Sequence, residues 1–111
     1  ASKVMPNYNV MGVAKAALET SVKYLSVDLG DQDVRVNAIS AGPMRTLAGA
    51  AIANARDVFN YTSENSSLKR NVNLDELGNS ALYLVSDLSS AITGEIHYVD
   101  CGFNIVGMPK S

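Results

Sequence analysis

Only two stretches of this chain read as strands, and helical patterns fill the distance between them. Val34-Arg35-Val36-Asn37-Ala38-Ile39 carries β-branched residues at 34, 36 and 39, and Glu95-Ile96-His97-Tyr98-Val99 is the second run. β-Branched and aromatic residues suit a pleated, half-buried surface. Two strands separated by helices point to parallel pairing, because a parallel pair needs a long crossover. A parallel sheet needs cover on both faces and normally has more than two strands. The expected fold is therefore α/β, an incomplete parallel sheet whose remaining strands lie upstream of Ala1 or come from another chain.

Around these strands the pattern is regular. From Asn7 to Leu29 apolar residues fall at Val10, Ala14, Ala17, Leu18, Val22, Leu25 and Leu29, the rhythm of a buried helical stripe. Pro6 and Gly30 punctuate its ends. The first strand runs into Ser40-Ala41-Gly42-Pro43, a breaker cluster. Leu47 to Phe59 is alanine-rich and reads as helix, and polar Tyr61 to Val72 reads as loop. Asn73 and Glu76 have the spacing of a capping box for a helix through Leu77, Ala81, Leu82, Leu84 and Val85, ending near Ser86.

Composition narrows the function classes. With 111 residues the chain has room for one domain at most. Hydrophobic residues at 47% and charged residues at 18% are globular values. The net charge of −2 offers no basic excess for phosphates, which argues against a nucleic-acid partner. No apolar run approaches a membrane span. One Cys and one His cannot build a structural zinc site, so no metal is expected. The opening residues do not read as a signal peptide, and they do not read as the start of a domain. A reducing compartment suits the single cysteine.

Tyr8 and Lys15 stand seven positions apart on the first helix. Seven residues turn a helix through about 700°, so both fall on one face, roughly 10 Å apart at Cα. A phenol and an ammonium ion facing one pocket can stabilise a developing oxyanion. A packing tyrosine and a surface lysine are the plain alternative. For Ala41-Gly42-Pro43, the choice lies between a simple turn and a close backbone approach to a ligand at a strand's carboxyl end.

The segments Tyr8-Asn9-Val10-Met11-Gly12-Val13-Ala14-Lys15-Ala16-Ala17-Leu18-Glu19 and Val34 to Thr46 resemble one family. So do Asp75-Glu76-Leu77-Gly78-Asn79-Ser80-Ala81, Ser86-Asp87-Leu88-Ser89, Thr93-Gly94-Glu95 and Val99-Asp100. Together they are similar to the C-terminal part of the bacterial NADH-dependent enoyl-acyl-carrier-protein reductases, a branch of the short-chain dehydrogenase/reductases. Only Ala51 to Asn71 matches loosely. Ordinary short-chain dehydrogenases place the lysine one helical turn after the tyrosine. Here Gly12 stands at that position, and the later Lys15 follows the enoyl reductase pattern.

The resemblance implies the C-terminal part of a Rossmann-type doubly wound sheet. Residues 1–111 would be the substrate-side part of a single domain whose dinucleotide-fingerprint half is absent. It further implies Tyr8 and Lys15 as catalytic residues and hydride transfer from NADH to a trans-2-enoyl thioester of acyl carrier protein. Lys15, Gly42, Pro43, Met44 and Thr46 would meet the cofactor. Tyr8, Ala48 and Ile52 would meet the substrate, the last two on a mobile lid over Leu47 to Val58. A cytoplasmic homotetramer is implied as well. No Gly-rich fingerprint occurs in the chain, and the family's second active-site tyrosine would fall before Ala1, so these residues alone are expected to be inactive and to bind NADH negligibly. Two other readings stay open: a short-chain dehydrogenase acting on a carbonyl or alcohol, and a non-catalytic assembly module built on the alanine-rich first helix. His97 reads as structural, Cys101 as a buried small hydrophobe, and Lys69 and Arg70 as part of a solvated loop.

Overall fold

A computed structural model describes residues 9–44 and 55–106. Among them the order is α1 (Asn9–Leu29), β1 (Ala38–Ala41), α2 (Ala55–Asn65), α3 (Leu74–Val85) and β2 (Ile96–Val99). Short 3₁₀ turns cover Gly30–Gln32, Asp87–Ser89 and Phe103–Ile105. β1 and β2 form a two-stranded sheet. The Ala38 N–H donates to Glu95 O at 2.9 Å and the Gly42 N–H to Val99 O at 3.1 Å. Both numberings rise together, so the pair is parallel, as the intervening helices require.

Two compact units divide the chain, one of Ala1–Ile39 with Leu84–His97, the other of Ser40–Tyr83 with Tyr98–Ser111. In the first, β1 begins four residues later than the sequence pattern predicts. Val34 to Asn37 find other partners. Val34 N–H returns to Leu29 O, and Val36 N–H donates to the Thr93 hydroxyl. Asn37 imitates a ladder rung with its side chain: Nδ2 donates to Ile92 O, and Oδ1 accepts the Glu95 N–H at 3.0 Å. Gly94 has φ +73°, and a Cβ there would lie 2.9 Å from Ser26 Oγ on α1. Glycine at this position therefore permits both the left-handed turn and the close approach of the helix.

Arg35 ties this unit together. Nη1 donates to Ser89 O, Ser89 Oγ and Ile92 O, and Nη2 to Leu84 O and Ser86 O, at 2.9 to 3.3 Å. The guanidinium thereby satisfies carbonyls at the C-terminus of α3, where the helix dipole favours a cation. The expected buried stripe on α1 is only partly buried. Val22 is buried, but Leu18 and Leu25 are 57% and 46% exposed. The periodicity is present, yet among the described residues only its Val22 position is covered. Among the described residues the buried apolar side chains are Val22 and Leu84 in this unit and Val72 in the other.

In the second unit, α2 extends through Tyr61–Asn65, where the polar composition predicts loop. Those polar side chains bond the helix's own carbonyls. Thr62 Oγ1 donates to Val58 O, Ser63 Oγ to Asn60 O and Asn65 Nδ2 to Tyr61 O. Back-bonding of this kind satisfies hydroxyl and amide groups that would otherwise compete with the helix. The loop that follows is ordered by Ser66, fully buried, whose Oγ donates to Arg70 O and accepts the Arg70 N–H. The capping box on α3 forms as expected. Asn73 Oδ1 accepts the Glu76 N–H at 2.8 Å, and Glu76 Oε1 accepts the Asn73 N–H at 3.0 Å.

Candidate active site

The candidate cofactor segment is Gly42-Pro43-Met44, directly after the carboxyl end of β1. Strand ends of this kind are where open parallel sheets bind ligands. The Gly42 N–H is held by Val99 O. Behind Gly42 lies a second backbone: an added Cβ would sit 3.4 Å from Asp100 Cα and Cβ, and 3.8 Å from Val72 Cγ1. A Cβ here would meet Asp100 at ordinary van der Waals contact, so this backbone packs closely against the end of β2. Pro43 has no N–H, so Met44 carries the other backbone donor of the three residues.

Of the other expected site residues, Lys15 has its backbone on α1, and its side chain lies outside the described residues. Tyr8, Thr46, Ala48 and Ile52 also lie outside them, as does most of the expected lid over Leu47 to Val58. The convergence of Tyr8 with Lys15 therefore rests on sequence spacing. The backbone at Gly42 to Met44 offers carbonyl acceptors and one amide donor at a strand's end, a donor set that suits the carboxamide of a nicotinamide ring.

The sequence reading missed how the segment is supported. Asp100 uses both carboxylate oxygens on backbone donors, Oδ1 on Gly102 N–H at 3.0 Å and Oδ2 on Asn104 N–H at 2.9 Å. Ser67 Oγ donates to Gly102 O, and Leu68 N–H to Cys101 O. Tyr61 and Phe103 meet edge to face at 6.0 Å. An Asp followed by Cys-Gly at a strand end is the local signal for the turn; its ties to Ser67 and Leu68 are long-range and leave no trace in spacing.

Electrostatics here are structural. Arg70 and Glu76, read separately as loop and helix start, form a two-pronged pair with both contacts at 2.8 Å. The Arg70 hydrogen bonds, helped by the Asn73 N–H, hold the Glu76 carboxyl below the usual carboxylate range, and the same pairing raises Arg70. Cys101 is half-buried with φ +56°, and burial pushes its thiol above the ordinary range. A raised thiol carries little thiolate at neutral pH, which argues against a nucleophile. His97 Nδ1 lies 2.8 Å from Glu95 Oε1, within the same strand region. No three His, Cys, Asp or Glu residues among the described ones are placed to hold a metal ion. No described helix is long and apolar enough to cross a membrane.

Comparison with known proteins agrees with these features. The family model described as "Enoyl-(Acyl carrier protein) reductase" matches residues 1–104. Enoyl-[acyl-carrier-protein] reductase [NADH] 2 of Rhizobium meliloti (strain 1021) is 64% identical over 107 residues, 96% of this chain and 40% of its own length. The FabI reductase of Rickettsia typhi is 56% identical over 110 residues, covering 99% of this chain and 42% of the relative. Among solved structures, FabI from Candidatus Liberibacter asiaticus superposes with a TM-score of 0.91 at 62% identity, over 98% of this chain and 42% of that one. The Anaplasma phagocytophilum reductase, solved in complex with NAD, gives 0.90 at 57%, over 99% and 42%. This chain thus spans about two-fifths of the length of the curated relatives it matches. Its described elements are part of their Rossmann-type doubly wound fold, and the chain belongs to the enoyl-(acyl carrier protein) reductase family.

Proposed function

We propose that the full-length protein containing this chain reduces the trans-2 double bond of enoyl-acyl-carrier-protein thioesters with NADH, in fatty acid synthesis. The observation that carries this reading is the 64% identity, over 96% of the chain, to a reductase named for that cofactor and substrate. Residues 1–111 would form the substrate-side part of one Rossmann-type domain. The working assembly is a cytoplasmic homotetramer.

Bound NADH would supply the hydride for the β-carbon of the enoyl group, and a proton delivered to the α-carbon would complete the saturation. The Tyr8 hydroxyl donates a hydrogen bond to the thioester oxygen, a bond strongest when negative charge has built up there. Lys15 offers ammonium donors to the nicotinamide ribose hydroxyls and adds positive potential beside Tyr8. Gly42 and Pro43 lie along the cofactor, the backbone at Met44 meets the carboxamide, and the Thr46 hydroxyl reaches the carboxamide or the pyrophosphate. Ala48 and Ile52 face the acyl chain, where small and apolar side chains leave room for it.

The deciding assay follows NADH oxidation by the full-length protein with a crotonyl thioester and, separately, a ketoacyl thioester. Turnover with the crotonyl substrate alone supports the reading. Turnover with the ketoacyl substrate alone would replace it with a carbonyl-reducing short-chain dehydrogenase. Tyr8→Phe should slow reduction, while Lys15→Ala should weaken NADH binding. The 111-residue chain by itself should bind NADH negligibly in a calorimetric titration.

A further inference from the structure

We propose that Asp100 is a positioning residue for the cofactor segment. It fixes the end of β2 so that Gly42-Pro43-Met44 presents its backbone at one set place. The inference rests on the reading above only in supposing that this segment meets the nicotinamide. The geometry itself lies within one compact unit.

Asp100 Cα and Cβ are the atoms nearest the open side of Gly42, 3.4 Å from where a Cβ would stand, so the two segments lie in direct van der Waals register. Those two atoms can serve as a stop only if they are held. Both carboxylate oxygens are spent on holding them, because they accept the Gly102 and Asn104 N–H groups, while the Phe103 N–H returns to Asp100 O at 3.2 Å. The turn so formed is anchored in its turn. Gly102 has φ +82°, and a Cβ there would lie 2.7 Å from Ser67 Cβ and Oγ. Ser67 Oγ donates to Gly102 O, and Leu68 N–H to Cys101 O. The same loop ends in Val72, 5% exposed, whose Cγ1 is the third neighbour of Gly42. Segments 42–44, 66–72 and 99–104 therefore close a ring of contacts behind the candidate cofactor backbone. Charged acceptors on backbone N–H groups are the strongest single ties in that ring. Removing them lets the stop behind Gly42 shift, and small misplacements of ligand-positioning groups carry large penalties.

The test uses the full-length protein with Asp100→Ala, Asp100→Asn and Ser67→Ala. Asp100→Ala should raise the NADH dissociation constant about tenfold, a modest share of the roughly hundredfold effect that a 1 Å misplacement can have. The KM for the enoyl thioester should stay near its wild-type value. Asp100→Asn keeps one acceptor oxygen and should fall between Asp100→Ala and wild type. Hydrogen exchange in the absence of NADH gives a readout independent of activity: Asp100→Ala should speed exchange at the Gly42 amide and leave the Ala38 amide unchanged. Leu84→Ala, a core truncation elsewhere, should lower Tm without moving either the dissociation constant or Gly42 exchange. If Asp100→Ala does not fold, Ser67→Ala decides, with the same changes at smaller size. Wild-type Gly42 exchange and NADH affinity in the folded variants would overturn the proposal. A wild-type protein that ignores NADH would refute the proposed function instead, and the exchange arm would still decide the role of Asp100.

Discussion

The two compact units are each ordered internally by opposite strategies. In the unit that contains α1, one cation, Arg35, reaches five neutral acceptors and gathers the end of α3 and the approach to β2 around itself. In the unit that contains α2, the work is divided among short polar ties: Ser66 to Arg70, Ser67 to Gly102, Asp100 to Gly102 and Asn104, and Arg70 to Glu76. A hub concentrates its contribution in one side chain, so its loss should be severe. A mesh spreads it, so most single losses should be mild. The exception is a place where two strands of the mesh touch without room to spare.

The hub gives the largest expected effect. Arg35→Ala removes five charge-assisted hydrogen bonds, although Leu84 O, Ser86 O, Ser89 O and Ile92 O each keep another donor, and should cost about 2–3 kcal/mol. Arg35→Lys keeps the charge but loses the planar fork and should recover only part of it. Denaturant titration of the full-length variants measures both, and a loss under about 0.5 kcal/mol for Arg35→Ala, the usual range for surface changes, would dissolve the contrast.

The mesh has one tight point. Gly102→Ala would force a Cβ to 2.7 Å from Ser67 at a positive φ. It should cost about 2–3 kcal/mol from strain and overpacking together. Substituting glycine for Ser67 in the same protein should recover part of the loss, which a double-mutant cycle can read.

Cys101 offers a smaller change with the opposite sign. It holds φ +56° with a side chain that glycine lacks. Cys101→Gly should stabilise by about 0.5–1 kcal/mol, since relief of the left-handed penalty outweighs the added chain entropy. A lower Tm for this variant would mean that the half-buried thiol contributes more through packing than its backbone costs.

The mildest effect belongs to the exposed pair. Glu76 has its carboxyl held below the usual range by Arg70 and Asn73. A depressed carboxyl pKa gives stability that is present above the unfolded value and lost as pH falls through the folded one. Glu76→Gln should therefore be slightly less stable than wild type at neutral pH and indistinguishable from it in acid. Urea titrations at the two pH values measure this; a gap that widens in acid would contradict it.

How much of this was legible beforehand depended on the range of the interaction. The capping box at Asn73 and Glu76 is local, three residues apart, and appears in the sequence as it appears in the structure. The parallel pairing follows from helices lying between two strands. The start of β1 does not, because Val36 and Asn37 pair with Thr93, Gly94 and Glu95 from far along the chain. Tyr61 to Asn65 look like loop because hydroxyl and amide residues dominate, and only the structure reveals that they bond the preceding turn. On α1 the apolar period is plain, but a period cannot say what covers it. The site divides in the same way. Gly42-Pro43-Met44 could be found from a breaker cluster after a strand and from family resemblance, whereas the support from Asp100 and Val72 is purely tertiary. Arg35 had a faint signal, a lone cation inside a β-branched run.

The measurement that bears most directly on the account is steady-state oxidation of NADH by the full-length protein with a crotonyl thioester, compared among wild type, Tyr8→Phe and Lys15→Ala. The account predicts turnover by wild type, a fall of about a hundredfold in kcat for Tyr8→Phe as expected for a lost oxyanion donor, and a raised KM for NADH in Lys15→Ala. Wild-type kinetics in both variants would contradict it.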